Sequence, residues 1–218
     1  MIDSVPDIMQ RAVGLAGALL SLPVLAVLAL AIRVDSAGPV IFSSTRIGAD
    51  GQPFRLHKLR TMTWGAEHSG SAVTVAADPR MTRVGRMLRR LRIDELPQLW
   101  NVARGDMRLV GPRPEDPRFV DLSNGLHREV FAAPPGMTGL TQLMYAHEAA
   151  LIDPLDPERH YREVVLPAKL RLDAVYLRHR SLRLDLWILA QTPRAVLGRP
   201  ISPPRALSAE LPAEVLDA

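Results

Sequence analysis

Residues 12 to 32 carry no charge, and Arg11 and Arg33 close the run on either side. As one helix it is ~32 Å long at about 1.5 Å per residue, close to the hydrocarbon thickness of a bilayer. A cleaved signal peptide fits poorly. The apolar run is longer than an h-region, and no small-residue cleavage site precedes a polar start. The run therefore predicts a membrane helix over residues 1–34. Pro23 falls in mid-run, where it removes the hydrogen bond to the Leu19 carbonyl and bends the helix. Ser21 is near enough to satisfy a freed backbone group. Both flanks are basic, so the positive-inside rule selects no orientation. A helix that enters, bends at Pro23 and returns to the same face satisfies both flanks. An ordinary kinked span satisfies the length equally well.

The rest of the chain predicts a compact domain over residues 35–198 and a loosely ordered tail over 199–218, where three prolines fall by Pro204. The pattern is mixed α/β and mainly helical. Asp50-Gly51 lies between short apolar runs at Val40–Phe42 and Phe54–His57 and predicts a hairpin. Residues 63–77 are rich in Gly, Ser and Ala and read as a mobile loop. A helix is expected from Asp78-Pro79, with Val84, Met87, Leu88 and Leu91 as its apolar stripe and Arg80, Arg83, Arg86 and Arg90 on its other faces, which read for the most part as solvated. A further helix starts near Asp94 and ends near Gly105, and another covers residues 158–180 with an interruption at Pro167. Ser181 caps a last helix through Leu189.

Chemistry concentrates in Ile93–Asn101, where Asp94 and Glu95 stand side by side after Arg86, Arg89, Arg90 and Arg92. Acids at a helix start need no function, because they satisfy free N–H groups and the positive dipole end. Their neighbours change the balance. A carboxylate among fixed cations stays ionised and is available as a nucleophile toward phosphorus. Magnesium would bridge carboxylate and phosphate oxygens. Arg113 is held between Pro112 and Pro114, a stiff mount for a phosphate clamp. Lys58 and Arg60, two residues apart at a strand end, are further candidate phosphate contacts. In Pro134–Gln142 the glycines allow a close backbone approach to a ligand, which makes Gly136, Thr138, Gly139 and Gln142 candidate substrate-loop residues. The chain has no cysteine, which removes disulfides, zinc–thiolate sites and thiol nucleophiles. Its net charge is +4 and arginine dominates the basic set, suiting bidentate phosphate contacts. No glycine-rich phosphate loop, dinucleotide fingerprint or serine elbow is present. Only 5% of residues are aromatic, which leaves few stacking positions for nucleic acid.

These segments resemble the bacterial sugar transferases, in the small monotopic form of polyprenyl-phosphate phosphoglycosyl transferases. The matching stretches are Asp35–Phe42, Thr45–Phe54, Lys58–Met62, Asp78–Arg90, Ile93–Glu115, Pro135–Leu143 and Leu172–Leu189. They cover roughly residues 8 to 198, and the long central block is the most specific. The resemblance implies transfer of a sugar 1-phosphate from a UDP-sugar to undecaprenyl phosphate with release of UMP. It implies that Asp94 is the nucleophile and magnesium site, and that Glu95 is its partner acid. Lys58, Arg89 and Arg113, with Arg60 beside them, then contact substrate phosphate. It further implies a re-entrant helix broken at Ser21 and Pro23, seated in membrane lipid on the cytoplasmic face of a bacterial inner membrane.

Two positions depart from the family pattern. Leu22 stands where a serine often precedes the proline, and Ala37 stands where a proline is common. Neither touches the catalytic block. A non-catalytic membrane assembly module of the same fold is the competing reading, and the intact Asp94, Glu95 and Arg113 argue against it. The sequence carries no readable code for the sugar, and it leaves the oligomeric state open, a homodimer included.

Overall fold

The computed structural model describes residues 5–204 together with Leu207 and Glu210. The chain runs through α1 (Asp7–Asp35), β1 (Ile41–Ile47), β2 (Pro53–Leu59), α2 (Arg83–Arg90) and α3 (Gln98–Arg104). It continues through β3 (Arg108–Val110), α4 (Gly125–Phe131), β4 (Gly136–Thr138), α5 (Leu140–Met144), α6 (Pro157–His160), α7 (Leu166–Arg178) and α8 (Leu182–Val196). This is the mainly helical α/β arrangement that the sequence predicts, with a hairpin of β1 and β2. The short β3–β4 pair is parallel.

Helix α1 packs along one stripe. Gln10, Gly14, Ala18, Ser21 and Ile32 are buried, and Leu25 and Leu28 are half-buried between them. These positions recur at steps of three and four, the spacing of one helix face. After Gln10 the first half of the stripe is Gly14, Ala18 and Ser21, small residues that let α3 come close. A Cβ on Gly14 would lie 2.8 Å from the backbone nitrogen of Ala103. The second half is bulkier, and Ile32 closes a cluster with Leu59 and Leu88. The other faces present Leu20, Val27 and Leu30 outward. Among the described residues α1 is the one helix long and apolar enough to cross a membrane, and 11% of its most apolar window is buried.

The sequence led us to expect a break at Pro23, yet α1 is one continuous helix of 29 residues with Pro23 inside it. A proline in a helix interior costs about 3 kcal/mol. Fully burying one side chain such as Ile32 stabilises by roughly 1.5–3 kcal/mol. The stripe has packed residues on both sides of Pro23, so the helix persists through it. The Ser21 hydroxyl donates to the Ala18 carbonyl at 2.8 Å rather than to that of Leu19.

Both ends of α1 are fastened to the domain. At the start, Asp7 pairs with Arg108 at 2.8 Å, and Gln10 Oε1 accepts the Leu109 N–H at 2.9 Å. At the end, Asp35 accepts the Val84 N–H at 2.9 Å and thereby caps α2. Arg60 then staples the turn after α1, donating to the carbonyls of Ser36, at 2.7 Å, and Ala37.

The hairpin turns where Asp50 (φ 54) and Gly51 (φ 70) adopt left-handed conformations, the geometry for which Asp-Gly is suited. The helix expected from Asp78 begins later, at Arg83, with Thr82 accepting the Gly85 N–H as its cap. Asp78 is buried and holds Arg80 instead, at 2.6 and 2.9 Å. The same guanidinium binds the carbonyls of Ala66, Ser69 and Ser71 at 3.2, 2.8 and 2.8 Å. The segment 63–77, expected to be mobile, is thus tied down by one arginine that the helical pattern had assigned to a solvated face.

Two core clusters lie behind these elements. One gathers Phe119, Phe131, Tyr161, Val165 and Leu170. The other gathers Leu140, Leu172, Tyr176 and Ile188 on α5, α7 and α8, with Leu207 buried against it. The remaining residues of the 199–218 tail lie partly outside the described set.

Candidate active site

Asp94 and Glu95 sit in a single turn of 3-10 helix, Ile93–Glu95, between α2 and α3. The backbone reaches that turn through Arg92, a non-glycine residue at φ 52 and ψ 19. An L-residue there is held by its surroundings. The Arg92 guanidinium donates to the Ala146 carbonyl at 2.9 Å and lies 3.8 Å from Glu95. The turn is thus anchored before its acids are presented, and Asp94 is only 6% exposed.

Strand β2 brings Lys58 to the same place, and Asn101 explains how. Asn101 is fully buried on α3. Its Oδ1 accepts the His57 N–H at 3.1 Å and its Nδ2 donates to the Arg55 carbonyl at 2.7 Å. This clasp fixes the backbone just before Lys58 relative to the acidic turn. Arg89, half-buried on the last turn of α2, completes the near side.

The charges act on one another in this space. Burial, then the neighbouring Glu95, raises the Asp94 carboxyl above its ordinary value, and the pull of Lys58 and Arg89 offsets only part of that. Burial, with Arg46 and Arg89 nearby, pushes Lys58 down to about 8. Burial also lowers Arg89, against the attraction of Asp94. Arg113 goes the other way, because Glu148, Glu95, Tyr161 and Glu115 together outweigh the effect of its burial.

Asp94, Glu95, Lys58, Arg89 and Arg113 therefore converge. Arg60 does not join them, since its guanidinium is engaged in the turn after α1. Gly136, Thr138, Gly139 and Gln142 form the support of the Arg113 turn. The Gly136 N–H donates to Pro112 at 2.8 Å, and the Gly111 N–H donates to Thr138 at 3.0 Å. A Cβ on Gly136 would lie 2.0 Å from the Gly111 nitrogen, so the close approach these glycines permit is to the chain's own backbone. Thr138 also meets Thr192 at 2.9 Å, and Gln142 donates to Gly136 at 3.2 Å.

Several residues near Arg113 went unread in the sequence. Glu148 lies within Coulombic reach of both Arg89 and Arg113. Lys169 bonds Glu148 at 3.0 Å and the Tyr161 hydroxyl at 2.6 Å, and Tyr161 donates to Glu115. One signal was available. The chain has only two lysines among its 27 basic residues, Lys58 and Lys169, and both lie at this centre.

Comparison with known proteins identifies the family. The bacterial sugar transferase family profile matches residues 2–199, and the chain belongs to that family. Over 120 residues it is 48% identical to a Bacillus subtilis putative undecaprenyl-phosphate N-acetylgalactosaminyl 1-phosphate transferase, covering 55% of this chain and 65% of that one. It is 34% identical over 197 residues to the Aeromonas hydrophila UDP-N-acetylgalactosamine-undecaprenyl-phosphate N-acetylgalactosaminephosphotransferase, covering 86% of this chain and 43% of the relative. It is 48% identical over 124 residues to the Caulobacter vibrioides UDP-glucose:undecaprenyl-phosphate glucose-1-phosphate transferase, covering 56% of this chain and 46% of the relative. The matched segment thus spans roughly half to two thirds of these relatives' length.

Proposed function

We propose that this chain transfers a sugar 1-phosphate from a UDP-sugar to undecaprenyl phosphate, giving undecaprenyl-diphosphate-sugar and UMP. The observation that carries this reading is the buried Asp94 carboxylate facing Lys58 and Arg89, with Arg113 facing Glu95. Cations around a carboxylate suit a reaction in which a polyanionic diphosphate must come close to an anionic nucleophile. The names of the relatives support the substrate class. They differ in sugar, so they support no particular one.

In the proposed route a carboxylate oxygen of Asp94 attacks the phosphorus attached to the sugar. A P–O bond forms, and the P–O bond to UMP breaks. The intermediate is an aspartyl phosphate ester of the sugar. An oxygen of undecaprenyl phosphate then attacks the same phosphorus and frees the carboxylate. Lys58, Arg89 and Arg113 bind the phosphates, and Glu95 keeps the local field that sets Asp94.

The donor set suits magnesium. Asp94 and Glu95 are adjacent hard oxygen donors whose repulsion and burial a divalent cation would relieve. Among the described residues no three such side chains gather into a full metal site. Magnesium commonly uses one or two carboxylates with substrate phosphates, which fits this partial set. When bound it would neutralise phosphate charge at Asp94.

The reaction calls for a position at a bilayer, and α1 supplies one. We read α1 as dipping into one leaflet, with its N-terminus on the same side as the domain. The contacts at Asp7, Gln10 and Asp35 support this, because a crossing helix would carry Arg108 and Leu109 to the far side with its N-terminus. By analogy with the reaction, that side is the cytoplasmic face of the inner membrane, at the first membrane step of surface glycoconjugate synthesis.

Two measurements test the reading. Purified full-length chain with undecaprenyl phosphate and magnesium, screened against UDP-sugars, should release UMP with at least one. Release with none would favour the non-catalytic assembly module. Because the chain lacks cysteine, Ser4→Cys gives a single label site. A membrane-impermeant maleimide should leave it unlabelled on intact cells and label it once the membrane is opened. Labelling on intact cells would overturn the same-side topology.

A further inference from the structure

The sharpest unassigned feature is the buried charge cluster behind Arg113. Lys169 is 2% exposed on α7. Its ammonium reaches Glu148 at 3.0 Å, the Tyr161 hydroxyl at 2.6 Å and Glu115 at 3.8 Å. Tyr161 in turn donates to Glu115, and its ring packs on Phe119 at 4.9 Å between centroids. Four polar side chains thus close into one satisfied network around a single cation. Such a network is costly to bury unless every member is paired.

The local backbone is built to make it. Eight residues separate Tyr161 from Lys169, and a regular α-helix would leave them about 80° apart around the axis. Between α6 and α7 the chain forms a π-turn, Tyr161–Val165. That wider turn absorbs an extra residue and brings the pair onto one face. Lysine suits the centre better than arginine does, since its compact ammonium can donate to Glu148 and Tyr161 while it stays within ion-pair distance of Glu115.

The network brackets the Arg113 turn. Glu115 is two residues beyond Arg113 on the same rigid segment. Asp173, one helical turn past Lys169, accepts the Arg113 N–H at 3.1 Å and the Thr141 hydroxyl at 2.7 Å. Glu148 is also close enough for its charge to act on the Arg113 guanidinium. Helix α7 therefore holds the backbone of Arg113 directly, and through Lys169 it holds two carboxylates whose charges act on its side chain.

We propose that Lys169 and Tyr161 are positioning residues, which fix Glu115 and Glu148 beside Arg113 and so aim its guanidinium at the diphosphate of the nucleotide donor. This rests on the donor reading given above. Neither residue touches substrate; both act through Arg113.

Binding of UDP with magnesium to the full-length chain in detergent, measured by calorimetry, tests this. Tyr161→Phe keeps the ring and removes the hydroxyl. It should weaken UDP binding about tenfold, within the range of coupling seen between contacting residues. In an Arg113→Lys background the same change should alter affinity less than about twofold, because the residue it acts through is gone. Equal weakening in both backgrounds would mean a general structural effect and overturn the proposal, as would unchanged binding by Tyr161→Phe alone. Should Tyr161→Phe fail to fold, Glu148→Gln carries the same comparison, keeping volume and losing charge. If the wild type does not bind UDP, the donor reading falls and this proposal falls with it. A wild type that binds beside an uncoupled variant overturns this proposal alone.

Discussion

Asp94→Asn should lower UMP release from the UDP-sugar substrate by at least about 10³-fold while leaving the protein as stable as the wild type, or more so. The two halves of this expectation have one cause. Asp94 is buried next to Glu95, and both burial and that neighbour disfavour its charge, which is why its carboxyl lies above the ordinary value. Asparagine keeps the shape and removes the unfavourable charge, so the folded state gains. The carboxamide has no anionic oxygen to attack phosphorus, so the covalent route closes. Incubation with UDP-sugar alone should leave a sugar-phosphate mass on the wild type and none on the variant. Activity within tenfold of wild type would remove Asp94 from the nucleophile's role. A large loss of thermal stability would make it a structural carboxylate instead.

Lys58→Met should cost about 10² in kcat/KM, the usual scale for one charge-stabilising donor. The pH profile gives the more specific test. Burial, with Arg46 and Arg89 nearby, depresses Lys58 to about 8, so its positive charge is present below that pH and lost above it. Asp94 is raised, so its anion is lost as pH falls through a value above the usual 3.8. The kcat/KM profile, which reports the free enzyme, should fall on both sides, with the alkaline limb near pH 8 belonging to Lys58. Lys58→Arg keeps the charge at every accessible pH and should remove that limb. An alkaline limb that survives in Lys58→Arg would assign it to another group. Bound diphosphate favours the ammonium, so the limb in kcat should lie higher than that in kcat/KM.

Much of the site was legible because its parts are close in sequence. Asp94 and Glu95 stand together, Arg89 is one helical turn before them, and Arg113 is marked by two prolines. The hairpin was legible from Asp-Gly, since few residue pairs tolerate that turn. What failed was the assignment of partners to single polar residues. Arg80 and Arg60 looked like a solvated face and a phosphate ligand. Each proved to hold carbonyls of a neighbouring loop. An arginine's five donors are filled by whatever acceptors the fold brings near, and periodicity does not see those. The glycines of Pro134–Gln142 were read as sites of close approach to a ligand, and the group that comes closest to Gly136 is the Gly111 backbone.

By itself the sequence determined the apolar helix, the family and the acidic turn with its nearest cations, because each depends on composition or on spacing within a few residues. Only the tertiary structure decided which charges share a space. It joined Lys58 to Asp94 through the Asn101 clasp, docked both ends of α1 on one domain, and closed Lys169, Tyr161, Glu115 and Glu148 behind Arg113. Coulomb energy and burial depend on distance in space, and neither can be read along a chain whose partners lie tens of residues apart.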